Sequence, residues 1–157
     1  MPNQKDFYQV SLKVFLKNDK GEVLILSSRE DSIYKGFYDL PGGRINFDEF
    51  KTPFDKIIKR ELTEEIGEVK FDLTLKPVGL GRASSTKTES PLGGPAHALN
   101  VFFEAKYIKG DIKISEEHTG FQWVKLTKDN LEQYFKIAIL EGAKMYLENL
   151  GGDSYKI

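Results

Sequence analysis

Cysteine is absent from this chain of 157 residues. That excludes a disulfide framework, a thiol nucleophile and thiolate metal ligands. An excess of either charge is missing too: 23 basic residues against 24 acidic ones leave a net charge of −1. No overall field therefore draws the chain to nucleic acid or to an anionic membrane. No apolar run is long enough to span a bilayer. The polar start Met1–Asp6 lacks the apolar core of a signal peptide, so a cytoplasmic location is expected. There is no internal repeat, no low-complexity segment and no nucleophile–base motif. What is present, 39% hydrophobic and 30% charged residues, is the composition of an ordinary soluble protein. Residues 1–157 read as one domain with a core of useful size, the last few (151–157) as a frayed tail.

The most informative segment is Arg60-Glu61-Leu62-Thr63-Glu64-Glu65-Ile66-Gly67. It places Glu61, Glu64 and Glu65 within about one helical turn, where spacings of three and four put side chains on one face. Their mutual repulsion costs roughly 0.2–0.5 kcal/mol per adjacent pair. They also precede Gly67, a helix stop, where the helix dipole disfavours anions. A divalent cation would relieve both penalties, and Mg²⁺ favours carboxylate oxygens. The helix is expected over Pro53–Ile66, with Thr52 as N-cap and Asp55 in the first turn. On a wheel Phe54, Ile57 and Ile58 share a side with Glu61 and Glu65, and Glu64 lies at its edge. The acids thus continue the inward side of the helix, although acid runs on helices are more often solvated.

Strands are expected at Tyr8–Leu16 and Glu22–Ser28, joined by the turn Asn18-Asp19-Lys20-Gly21. Short extended pieces follow at Phe37–Leu40 and Arg44–Ile45, and longer ones at Phe71–Gly81, Ala98–Ile108 and Phe121–Leu126. A second helix is expected over Asp129–Asn149, its Leu131, Phe135, Ile139 and Gly142 on a packed face. The long polar stretch Arg82–Pro95 reads as a recognition loop, a lid or a disordered excursion.

The acidic helix and the segment before it resemble the Nudix hydrolase family. That family's box runs Gly, five residues, Glu, seven residues, then Arg-Glu-apolar-any-Glu-Glu-any-Gly-apolar. Arg60 to Gly67 matches the second half, and Gly43 to Glu49 the first, entered through Leu40-Pro41-Gly42-Gly43. Two departures stand out. Ten residues, Phe50 to Lys59, separate Glu49 from Arg60, which leaves open whether Glu49, Asp48 or neither takes the first-glutamate role. Glu68 occupies the last apolar position, with Val69 following.

The resemblance implies an α+β fold, a helix–sheet–helix sandwich with a mixed sheet. It implies Mg²⁺- or Mn²⁺-dependent cleavage of a pyrophosphate bond in a nucleoside diphosphate-linked compound. Glu61, Glu64 and Glu65 would be the metal ligands, Arg60 their orienting partner, and Gly42 and Gly43 the close-approach loop. A glutamate before a Trp-containing strand serves many members as ligand or base. Glu117, six residues before Trp123, stands at that place, with Glu116 as its competitor. Either Glu64 or Glu117 would take the proton of the attacking water. His118 beside it is read as structural or as an aid to proton transfer, and His97 as structural. Arg29, Arg44 and Arg82 are candidates for substrate phosphate. Phe37, Tyr38, Phe47 and Phe102 are read as core rather than base-stacking residues.

Markers for ADP-ribose, dinucleoside polyphosphate or coenzyme A substrates are missing downstream, where Ala83, Ser84 and Ser85 stand. A nucleoside triphosphate is therefore the expected substrate. A nucleotide sugar or ADP-ribose, and a non-catalytic nucleotide sensor, are the alternatives. The partner is a small nucleotide, with neither nucleic acid nor membrane. A homodimer is common in the family, and the sequence argues neither way.

Overall fold

A computed structural model describes residues 3–150 of the chain. The expected tail 151–157 lies outside them. Strands β1 (Tyr8–Lys17), β2 (Val23–Ser28), β3 (Tyr38–Asp39) and β4 (Gly42–Arg44) precede helix α1 (Phe54–Ile66). After it come β5 (Lys70–Glu89), β6 (Pro95–Lys109), β7 (His118–Val124), the short helix α2 (Leu131–Tyr134) and α3 (Ile137–Leu150). The sheet is mixed. β1 lies parallel to β6 from Tyr8↔His97 to Lys17↔Lys106 and antiparallel to β4 at Leu12↔Gly43. β2 pairs antiparallel with β3 and β7, and β5 with β6.

Alternation along the strands builds a core on each face of the sheet. Leu12, Val14 and Leu16 of β1 and Leu24 and Leu26 of β2 pack against Ile57, Ile58, Leu62 and Ile66 of α1. Phe15, Ile25 and Phe102 point the other way, against Leu131, Phe135, Ile139, Ala143 and Tyr146. The result is the expected helix–sheet–helix sandwich. Each buried apolar side chain of α1 contributes about 1.5–3 kcal/mol. That outweighs the repulsion among the helix's glutamates, so packing fixes where the acids sit. Among the described residues no helix is long and apolar enough to cross a membrane.

α3 approaches the sheet backbone to backbone. A Cβ on Gly142 would stand 2.1 Å from the Phe102 ring, and one on Gly81 2.1 Å from the Ala138 carbonyl oxygen. The helix covers the part of this face around Phe15 and Phe102. Further along the same strands Ser11, Lys13 and Asn100 carry no helix above them and line a cleft.

Several sequence expectations are corrected. Pro53, not Thr52, stands at the N-cap of α1, and no side chain caps the helix. Phe54, expected on the inward side, is half exposed and stands outside the core cluster that Ile57 and Ile58 join. The expected helix Asp129–Asn149 breaks: Phe135 is extended and Ile137 takes φ +54°. Leu131 and Phe135 before α3 and Ile139 within it are all buried in the core. Arg82–Pro95 is not a long loop, since β5 and β6 run on as a hairpin closed by the turn at residues 90–94. Phe47 is not core but fully exposed on a 3₁₀ turn, Phe47–Glu49. Val69, rather than Glu68, supplies the apolar contact after Gly67.

Candidate functional site

α1 ends against the β3–β4 loop, and the acids meet the glycines there. Glu65 Oε2 accepts from the Gly42 amide at 2.7 Å. Glu65 and Glu61 are 5% and 9% exposed, depths at which a carboxylate needs compensation. Gly42 takes φ +132°, and a Cβ on it would strike the Leu12 carbonyl oxygen at 2.0 Å. A Cβ on Gly43 would stand 2.2 Å from Glu61 Oε2. Gly42 is therefore required by backbone angle and close approach, and a side chain at Gly43 would have to displace the Glu61 carboxylate.

Arg60 ties the loop to the helix. Its Nε and Nη2 donate to the two oxygens of Glu49 at 2.9 and 2.7 Å. Its Nη1 donates to Glu61 at 2.8 Å and reaches Glu64 at 3.2 Å. Glu49 Oε1 also accepts from the Asn46 amide at 2.8 Å, so both oxygens are committed. Those bonds to Arg60 hold the Glu49 carboxyl below its usual range. The three additional residues relative to the family spacing are accommodated in the exposed turn around Phe50 and Lys51, and the pairing survives. Burial pushes the Glu61 carboxyl up; Arg60 opposes this, and Glu65 and Glu64 reinforce it.

A second buried cation, Lys13, lies under the loop. Its Nζ pairs with Asp39 at 3.1 Å and donates to the carbonyl oxygens of Leu40 and Gly42 at 3.4 and 3.3 Å. Burial alone would favour the neutral amine, but Asp39 and Glu65 reverse that and raise its pKa. Neither Lys13 nor Asp39 was expected from the sequence. The signal available was a lysine at an inward position of an otherwise apolar strand.

Across the cleft, β7 carries an extra residue, Thr119, between the pairs Ser27↔Gly120 and Ser28↔His118. Such a bulge re-aims the side chains beside it. It brings His118 Nε2 within 3.4 Å of Glu65 Oε1. Burial opposes protonation of this ring, but Glu65 and Asp39 leave its pKa raised. Ligand atoms of Glu65, Glu117 and His118 lie within 4.8 Å of one another. Glu117 borders the cleft, whereas Glu116 presents its backbone carbonyl to Arg29 at 2.9 Å.

The cleft measures about 740 Å³. Its lining includes Glu61, Glu64, Glu65, Arg60, Glu117 and His118, with Gly42 and Gly43. Of the helix trio, Glu65 belongs to the close group with Glu117 and His118, and Glu61 and Glu64 fall outside it. Arg29, Arg44 and Lys87 stand along its walls. Arg82 does not join them: Ala83, Ser85 and Lys87 of β5 face the cleft, and Arg82 alternates with these. Glu64 is the exposed member of the helix trio, its side chain 58% accessible. The residues fit a divalent cation. Two buried carboxylates, Glu61 and Glu65, project from α1, glycines leave the space, and oxygen and nitrogen donors of Glu65, Glu117 and His118 lie close together.

The family model of the NUDIX domain matches residues 7–137. A search of curated protein sequences found no match. Among solved structures, the MutT protein of Methanosarcina mazei Go1 superposes with a TM-score of 0.68 at 24% identity, over 97% of this chain and 100% of that one. The E. coli ORF135 protein gives 0.67 at 18% identity, over 95% of each chain. The E. coli dihydroneopterin triphosphate pyrophosphohydrolase gives 0.61 at 16% identity, over 90% of this chain and 95% of that one. At these identities the likeness is one of fold.

Proposed function

The chain belongs to the NUDIX family, and on that premise we propose that it is a Mg²⁺- or Mn²⁺-dependent hydrolase of a pyrophosphate bond in a nucleoside triphosphate. The observation that carries the reading is the packing of the buried carboxylates Glu61 and Glu65 against the glycine loop, in a cleft that Glu64 also lines and that is large enough for a nucleotide. Glu61 and Glu65, with Glu64 or Glu117, would hold the cation. When bound, it supplies neutralisation of the phosphates and a more acidic water.

The remaining work falls to the chain's own groups. Arg60 fixes the rotamers of Glu61 and Glu64 and locks the loop through Glu49. Arg29, Arg44 and Lys87 line the cleft as donors for the phosphate oxygens. Glu117 at the border, or Glu64, takes the proton of the attacking water. Charge builds on the leaving phosphate and the bridging oxygen, where those cations oppose it. The triphosphate preference is supported by Ala83, Ser84 and Ser85, which stand where markers of the other substrate classes are expected.

The experiment is product analysis by chromatography with Mg²⁺ on a panel of nucleoside triphosphates (8-oxo-dGTP included), ADP-ribose, nucleotide sugars and dinucleoside polyphosphates. Cleavage of triphosphates by the wild type, abolished in Glu64→Gln, is the expected result. Preferential cleavage of a nucleotide sugar or ADP-ribose would move the substrate class. Nucleotide binding without cleavage of any member would make the chain a sensor.

A further inference from the structure

His118 has no part in the hydrolysis described above, yet its side chain is only 7% exposed and sits on the cation cluster. Its Nε2 stands 3.4 Å from Glu65 Oε1. That is long for a hydrogen bond to a carboxylate, for which about 2.7–3.0 Å is usual. The other nitrogen, Nδ1, is buried with no partner among the described residues. Of the two nitrogens, Nε2 is the one directed at the cluster, and the protein holds it only loosely.

The same separation suits two atoms that share a cation. Ligands about 2.0–2.2 Å from one ion lie roughly 2.8–3.1 Å apart at octahedral angles and roughly 3.3–3.6 Å apart at tetrahedral ones, so the separation matches an angle wider than about 90°. Glu117, the adjacent residue, supplies the third donor within 4.8 Å. The bulge at Thr119 is what turns the ring toward Glu65.

We propose that His118 Nε2 is a ligand of the cation held by Glu65 and Glu117, and that this nitrogen biases the site toward Mn²⁺, Co²⁺ or Zn²⁺ over Mg²⁺. Imidazole is a good ligand for borderline transition ions and a poor one for Mg²⁺, which prefers oxygen. The inference rests on the metal-dependent reading of this cleft.

The test is pulsed electron paramagnetic resonance of Mn²⁺ bound to the full chain, with a Mg²⁺ competition titration. The expected result is a nitrogen modulation in the wild type that changes character when histidine is labelled with ¹⁵N. The modulation persists in His97→Gln and vanishes in His118→Gln. The His118→Gln variant still takes up Mn²⁺, but its preference for Mn²⁺ over Mg²⁺ falls by about ten-fold or more. The isotope arm needs no substitution, so a folding defect in the variant cannot mask the answer. Saturable Mn²⁺ binding, weakened by Glu65→Gln but without any histidine coupling, overturns the inference and leaves the metal reading standing. No saturable Mn²⁺ binding by the wild type overturns both.

Discussion

Gly43 and Glu61 occupy mutually exclusive space: a methyl group on the glycine would stand 2.2 Å from Glu61 Oε2. The acid is positioned as much by that missing side chain as by Arg60. Gly43 has no left-handed backbone angle, so alanine is conformationally acceptable there. Gly43→Ala should therefore leave unfolding within about 1 kcal/mol of wild type while weakening cation affinity by roughly 10–100-fold. Isothermal titration with Mn²⁺ alongside urea unfolding checks this. Unchanged affinity would mean that Glu61 moves aside without consequence.

Arg60 uses a planar fork, with two nitrogens on Glu49 and the third on Glu61 and Glu64. A lysine carries the charge but cannot bridge two elements at once. Arg60→Lys is expected to lower kcat/KM by about 10–100-fold with an unchanged far-ultraviolet spectrum. A variant with wild-type kinetics would reduce Arg60 to surface charge.

Glu49 supplies a pH dependence whose sign is fixed. Its folded pKa lies below the ordinary 4.5 because Arg60 holds the carboxylate. The associated stability is fully present above that ordinary value and is lost as pH falls through the folded one. At neutral pH Glu49→Gln should therefore be less stable than wild type, and the gap should narrow on acidification below about pH 4.5. Thermal unfolding across that range measures it. A gap that stays constant with pH would refute the ion-pair origin.

Ile137 adopts φ +54° and is about half exposed. A β-branched residue in the left-handed region costs roughly 1–2 kcal/mol. Glycine removes that strain and loses little burial. Ile137→Gly is predicted to stabilise the protein by about 0.5–1 kcal/mol, net of the entropy that glycine adds to the unfolded chain. Lower stability in urea would show that the exposed half of Ile137 packs more usefully than its accessibility suggests.

The acidic helix and the hairpin at Asn18–Gly21 were legible because their signals are local: a 3.6-residue period, a stop glycine, a turn sequence. Asn18 indeed accepts from the amides of Lys20 and Glu22. What stayed hidden depends on partners far along the chain. Lys13 reads as a misplaced charge until Asp39 and two carbonyls arrive from the β3–β4 loop. The break after Tyr134 leaves no trace in the apolar spacing, since Leu131, Phe135 and Ile139 keep a four-residue period and are all buried across it. The extension of β5 and β6 through Arg82–Pro95 was missed because polar strands at a hairpin tip carry the composition of a loop. That Glu117 lines the cleft was likewise hidden, because it depends on how β7 is held against β2 and the acidic helix.

The parallel pairing of β1 with β6 has a consequence for how the protein is made. Tyr8 to Lys17 must wait for His97 to Lys106, about ninety residues later, before their ladder can close. Contacts of such sequence separation slow folding, to milliseconds or seconds in domains dominated by them. During synthesis β1 and β2 leave the ribosome long before that partner exists, with an open apolar strand edge that invites association. The floor of the cleft, Lys13 on one strand and Asn100 on the other, is therefore assembled late. Chains truncated before β6 should be sticky, inactive and dependent on chaperones rather than partially functional.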